Sequence, residues 1–199
     1  MMPDNKGITY KDVAQLWVMN IEELKRLSTY FQEDMINDNF HRKNMVRNLF
    51  SVIEGYLFMT RELIKLIIIY NPITNYGITF HEIIALHGKA ISIDKNGQVV
   101  GKETFHPFES TLRFTLNCFA KMFKSPQPNY GDNGYAKLIR LSKRRNDLTH
   151  PKSAALQIVS DDEMKDLALG LEWFIRTHGE TSIKVNFEEL FLKIPPSNS

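Results

Sequence analysis

The nine residues Lys143-Arg144-Arg145-Asn146-Asp147-Leu148-Thr149-His150-Pro151 hold three cations, an amide, a carboxylate, a hydroxyl and an imidazole. An imidazole exchanges protons near neutral pH, and a guanidinium grips phosphate with a planar fork of donors. Arg145 and His150 are five positions apart, which on an uninterrupted helix points them roughly 140° away from each other. Pro151 disfavours the helical region for His150, so the helix before it is expected to stop at about His150. A break there lets the two side chains converge. The same residues also have a purely structural use, because Lys, Arg and His near a helix C-terminus interact favourably with its dipole, typically by about 0.3–1 kcal/mol.

The elements that must position this turn are helical by their apolar spacing. Tyr135, Leu138, Ile139 and Leu141 mark the helix that carries the motif. A first helix is expected from about Tyr10 to Ile36, with Val13, Leu16, Trp17, Ile21, Leu24, Leu27 and Phe31 at three- and four-residue steps. Asn37-Asp38-Asn39 breaks it and can cap the next. That second helix, roughly Phe40 to Tyr70, is the longest and most apolar and ends at Asn71-Pro72. It also carries a polar strip, Asn44, Arg47, Asn48, Ser51 and Glu54, at helical spacing. Such a strip is ordinarily a solvated face. The alternative is that it faces the Arg145/His150 turn, with Glu54 or Ser51 fixing a side chain there.

A short helix is expected from about Thr79 to Ala90, with His81 and His87 six apart and so on different faces, against a metal pair. Asn96-Gly97 between β-formers predicts a hairpin over Ile91 to Val100, an insertion (about 91–104) decorating the helical core. Helix resumes after His106-Pro107, from Phe108 to about Lys124. Ser125 to Gly134 reads as a loop, either a connector or a rim over a site. Beyond Pro151, Ser160-Asp161-Asp162-Glu163 is a capping box opening an amphipathic helix that His178-Gly179 should close. Phe187 to Leu192 is one more short amphipathic piece, before a tail expected to fray.

At 199 residues with 43% hydrophobic and 24% charged residues, the chain has the make-up of a soluble globular domain. A net charge of +2 is too small to imply nucleic-acid binding, so that inference needs local clustering. The single cysteine, Cys118, sits in an apolar run, excludes an internal disulfide framework and fits a reducing compartment. The first residues show no apolar signal segment, and the apolar run Leu63 to Tyr70 is short and contains Lys65, so a cytoplasmic, non-membrane protein is expected. There is no phosphate-binding Gly-rich loop, no Cys/His zinc spacing and no other motif for a metal or cofactor.

The turn resembles the hallmark of the HEPN superfamily of all-α helical bundles: Arg, a polar residue, three variable residues, then His. Here it reads Arg145-Asn146-Asp147-Leu148-Thr149-His150. The long helix containing Arg47-Asn48-Leu49-Phe50-Ser51-Val52-Ile53-Glu54-Gly55 and the Ser160 capping box agree, and the resemblance covers roughly residues 38–178 of what is expected to be one domain. It implies metal-independent RNA cleavage, with His150 and Arg145 acting on the scissile phosphate in a composite site of a homodimer. Asn146 would orient Arg145 or the His150 ring. RNA supplies its own nucleophile, the 2′-hydroxyl, so proton transfer and charge stabilisation suffice, leaving a 2′,3′-cyclic phosphate and a 5′-hydroxyl. Lys137, Arg140, Lys143, Arg144 and Lys152 form the local basic cluster that would track RNA, and are equally what a solvated helix face looks like. Membership of toxin or phage-defence systems, with a neutralising antitoxin-like partner, is implied by the resemblance only. The rivals are a non-catalytic RNA- or protein-binding module of the same fold and a structural dimerisation protein.

Overall fold

Thirteen buried side chains on one helix organise the molecule: Asn39–Tyr70 (α2) buries paired positions at three- and four-residue steps, from Met45/Val46 through Phe50, Ile53, Tyr56/Leu57 and Leu63/Ile64 to Ile67. That double-width stripe lets a single helix face several neighbours at once. Each such large apolar side chain contributes about 1.5–3 kcal/mol when taken from water. The computed structural model describes residues 8–30, 38–72 and 76–182. Its elements, in order, are α1 (Tyr10–Tyr30), α2, α3 (Phe80–Leu86), β1 (Lys89–Ile93), β2 (Val99–Glu103), α4 (Phe108–Phe123), α5 (Asn133–Thr149) and α6 (Asp161–Ser182). The fold is all-α with a small two-stranded antiparallel insertion.

Around α2 pack α1, α4, α5 and, more lightly, α3 and α6, while α5 and α6 form the most extensive pair. Buried residues of all six helices join one apolar cluster, among them Val13, Phe50, Leu86, Phe119, Leu138 and Trp173. The α5–α6 pair is close because glycine permits it. A Cβ on Gly134 would lie 2.6 Å from the Leu169 carbonyl oxygen and 2.7 Å from the Trp173 Cβ, closer than carbon and oxygen can stand.

The N-terminus of α2 latches the connection between α5 and α6. Asn39 donates to the Gln157 carbonyl (2.8 Å) and accepts from the Val159 N–H (2.8 Å), while Arg42 donates to the Val159 carbonyl and to Asp161 (2.9 and 2.6 Å). Asp38 is the N-cap by backbone but makes no side-chain capping bond. The loop after α4 is likewise anchored. The Tyr130 hydroxyl donates to Asn117 (2.8 Å), Trp173 Nε1 donates to the Asn129 carbonyl (3.1 Å), and Arg113 lies 4.9 Å over the Tyr130 ring. Residues 125–132 are therefore a connector fixed to α4 and α6.

Three sequence expectations change in detail. The third helix stops at Leu86, not Ala90, because Gly88 turns at φ +64° and Lys89 already pairs with Glu103. The hairpin is present but is not closed by a two-residue Asn-Gly turn. Gly97 donates to the Asp94 carbonyl (3.0 Å), Asp94 to the Gln98 carbonyl (2.9 Å), and the Asp94 carboxylate accepts from Asn96 and Gln98 N–H. Asp94 thus holds a three-residue loop with Gly97 at φ +76°, the position that glycine serves at little cost. Finally, α6 runs through His178-Gly179 to Ser182. An internal glycine costs a helix only about 1 kcal/mol, and no proline follows to stop it. The Ser160–Glu163 capping box forms as read, with reciprocal bonds of 2.9 and 3.2 Å. The expected continuation of the first helix to Ile36 and the Phe187–Leu192 piece lie outside the described residues.

Candidate functional site

The site residues sit on the last turns of α5, so the forces that place that helix place them. At its start Asp132 accepts from the Gly134 N–H (2.7 Å), an N-cap by a favoured residue type. Along its length Lys137 and Arg140 both reach the buried carboxylate of Asp166 on α6, Lys137 at 3.2 Å. At its end Arg47 of α2 donates to the Leu148 carbonyl (2.7 Å), one of the acceptors that a helix C-terminus leaves without an internal partner. The helix stops at Thr149, and His150 is the C-cap, at φ −126° and ψ 68°, with its N–H on the Asn146 carbonyl (2.9 Å). Pro151 accounts for the stop.

The two adjacent arginines do different things. Arg144 is largely buried, at 14% side-chain exposure, and uses its guanidinium on Glu163 (2.6 Å) and on the Leu156 and Ile158 carbonyls (2.9 and 2.7 Å). It ties α5 to the start of α6. Arg145 points instead to α2, where Glu54 accepts from its Nη1 at 2.5 Å and the Phe50 ring lies 5.3 Å from the guanidinium carbon. One carboxylate leaves most of the guanidinium donors without a partner among the described residues. Lys143, Asn146 and His150 are exposed.

The polar strip of α2 therefore divides. Arg47 and Glu54 reach α5, while Asn48 and Ser51 line a hollow of about 260 Å³ between α1 and α2, with Glu23 and Arg26. Arg145 lines a second, larger cleft of about 330 Å³ beside α2, α4 and the root of the hairpin. Glu54, Leu57 and Arg61 form its α2 side, at i, i+3 and i+7 on one helical face, and Phe105 and His106 border it from the segment that leaves β2. His150 is not among its lining residues, so the chain brings Arg145 to a cleft and leaves His150 at the exposed helix end.

Sequence reasoning alone does not mark Arg61, Phe105 or His106 as site residues. Arg61 has one legible signal, its two-turn spacing from Glu54. His106 and Phe105 have none, since their place depends on how the hairpin folds back to α4. The buried thiol of Cys118 is no candidate nucleophile. Burial, reinforced by the Glu82 carboxylate and opposed by Lys121, pushes its pKa up to about 12. Burial likewise raises the Tyr130 hydroxyl, with Tyr135 adding to the effect. Among the described residues no three His, Cys, Asp or Glu side chains cluster closely enough to hold a metal ion, and no helix is long and apolar enough to cross a membrane.

Fold and site define an all-α bundle with a hairpin insertion and an arginine-bearing cleft at the end of α5. No protein-family model, curated protein or solved structure matches the chain.

Proposed function

We propose that the chain is a HEPN-like, metal-independent endoribonuclease acting as a homodimer. The observation that carries this reading is the arrangement of the last turns of α5: Arg145 is held on the wall of an open cleft, while His150, five residues on, caps the same helix in solvent. Arg145 grips the scissile phosphate and stabilises charge in the transition state. His150 takes the 2′-hydroxyl proton or protonates the departing 5′-oxygen. One chain offers one such imidazole at the turn, so a second copy supplies the complementary acid or base. Asn146 and Lys143, exposed on the same turns, contact the strand. The resemblance adds a role in defence or toxicity, restrained by a protein partner.

The test is incubation of purified protein and its His150→Ala variant with labelled mixed-sequence RNA in EDTA, followed by analysis of the ends. Cyclic-phosphate ends, lost in a folded variant, support the reading. Equal cleavage by both proteins places the chemistry elsewhere. One observation favours a second reading, a non-catalytic RNA- or protein-binding module: Glu54 already neutralises Arg145. Intact RNA with both proteins supports that module.

A further inference from the structure

Arg61 lines the cleft, and its guanidinium keeps an unpaired donor. Its Nε is buried and has no hydrogen-bond acceptor among the described residues. Buried N–H donors on a charged group rarely go unpaired, because desolvation without a partner is costly. The one carboxylate of the cleft, Glu54, is already engaged by Arg145 through Oε1. With two arginines against one glutamate, the lining carries a net charge of +1 before His106 is counted. That net positive lining favours an anion in the cleft.

The same cleft has a flat apolar surface on its border. Phe105 is 96% exposed, the most exposed of the large apolar residues described, and lies between the hairpin exit and Pro107. Beside it the His106 ring is held in place. The Thr104 hydroxyl lies within hydrogen-bond distance of the Gly88 carbonyl (3.3 Å) and of His106 Nε2 (3.2 Å), which leaves Nδ1 as the ring's other polar atom. A guanidinium and an exposed aromatic ring lining one cleft are the pairing that single-stranded nucleic acid uses, with phosphate on the cation and base on the ring.

We propose that this cleft is a nucleotide subsite of the RNA-binding surface. It takes the phosphate next to the scissile one on Arg61 and stacks the adjoining base on Phe105, beside the Arg145 that holds the scissile group. The assignment rests on the ribonuclease reading for its substrate. It makes Arg61 and Phe105 binding residues, and places the strand's path between the hairpin root and α2.

The test uses the full chain and a short, fluorescently labelled 2′-O-methyl oligoribonucleotide, which cannot be cleaved because its 2′-oxygens are blocked. Binding is read by anisotropy over a range of salt concentrations. Arg61→Ala and Phe105→Ala are each expected to weaken binding by about tenfold or more. Arg61→Lys should recover part of the loss, and Arg61→Ala should lower the salt-dependence slope by about 0.7. Phe105 is so exposed that its variant tests the site without endangering the fold. Wild-type affinity in both folded alanine variants would overturn the subsite, as would binding of inorganic phosphate without binding of the oligonucleotide. The parent reading fails separately: Arg61-dependent binding with no cleavage of unmodified RNA keeps the subsite and removes the nuclease. Cleavage with unaltered binding in both variants does the reverse.

Discussion

Oε1 of Glu54 accepts from Nη1 of Arg145 at 2.5 Å, one helical turn beyond the Phe50 ring over which the same guanidinium lies. The pair is not there chiefly for stability. Both side chains are partly exposed, 24% and 47%, and such pairs contribute about 0–1 kcal/mol. Its effect is to fix the direction of Arg145, and in the proposed site it opposes the approach of a phosphate. Glu54→Gln should therefore shift the unfolding free energy by less than ~1 kcal/mol. On the proposed ribonuclease reading, RNA binding should tighten as the repulsive charge disappears, while turnover falls because the guanidinium loses its aim. Steady-state kinetics check this: KM and kcat are expected to drop together. A variant with raised kcat would show that Glu54 only inhibits.

Neighbouring arginines on α5 should separate cleanly between folding and function. Arg144→Ala removes a partly buried ion pair with Glu163 and leaves two carbonyls, of Leu156 and Ile158, without their donor. A loss of about 2–4 kcal/mol is expected. Arg145→Ala should cost under ~1 kcal/mol and, on the proposed reading, abolish RNA cleavage. Urea unfolding of the two variants, paired with the cleavage assay, decides the matter. Similar destabilisation in both would mean that Arg145 too is a structural residue.

Gly134 should be the least replaceable small residue of the α5–α6 contact. An added Cβ would press on the Leu169 carbonyl oxygen at 2.6 Å and on the Trp173 Cβ at 2.7 Å, both on a packed helix that cannot rotate away. Gly134→Ala should destabilise by about 1–3 kcal/mol or more, the usual range for overpacking. At Gly170 the nearest atoms, of Leu138, stand at 3.3 Å, so Gly170→Ala should cost distinctly less. Denaturant midpoints measure both, and the order of the two costs is the prediction.

Much of this architecture is legible in the sequence because it follows from local rules. The stripe on α2, the stop before Pro151 and the Ser160–Glu163 box each depend on residues within a few turns of one another. What escapes depends on distance. That Lys137 and Arg140 meet Asp166, and Arg144 meets Glu163, follows from which face α5 turns to α6, and this draws those cations away from the basic cluster that the sequence suggests. The polar strip marks Glu54 as a residue that could fix a side chain of the motif, yet the same strip gives no sign that Asn48 and Ser51 line a different hollow. His106 and Phe105 join the cleft through the hairpin's return, a long-range event that no periodicity encodes.

Cys118 offers a test of the packed core through pH. Its thiol rises from the ordinary 9.0 to about 12, by burial first and by Glu82 second, with Lys121 opposing. A thiol with a raised folded pKa favours the native state fully below the unfolded value, near 9, and that contribution is lost as pH climbs toward about 12. Every tenfold difference in proton affinity between the folded and unfolded chain corresponds to about 1.4 kcal/mol, so the wild-type stability curve should fall more steeply over that window than that of Cys118→Ala. Tyr130 and Tyr135 are shifted in the same direction, but they act in both proteins and cancel in the difference apart from the small contribution of Cys118 itself to Tyr130. The companion measurement is alkylation at pH 8, where the native thiol should react far more slowly than in the urea-unfolded chain. Reaction of the folded protein at the unfolded rate would place Cys118 at the surface and contradict the packing of α4 against α2.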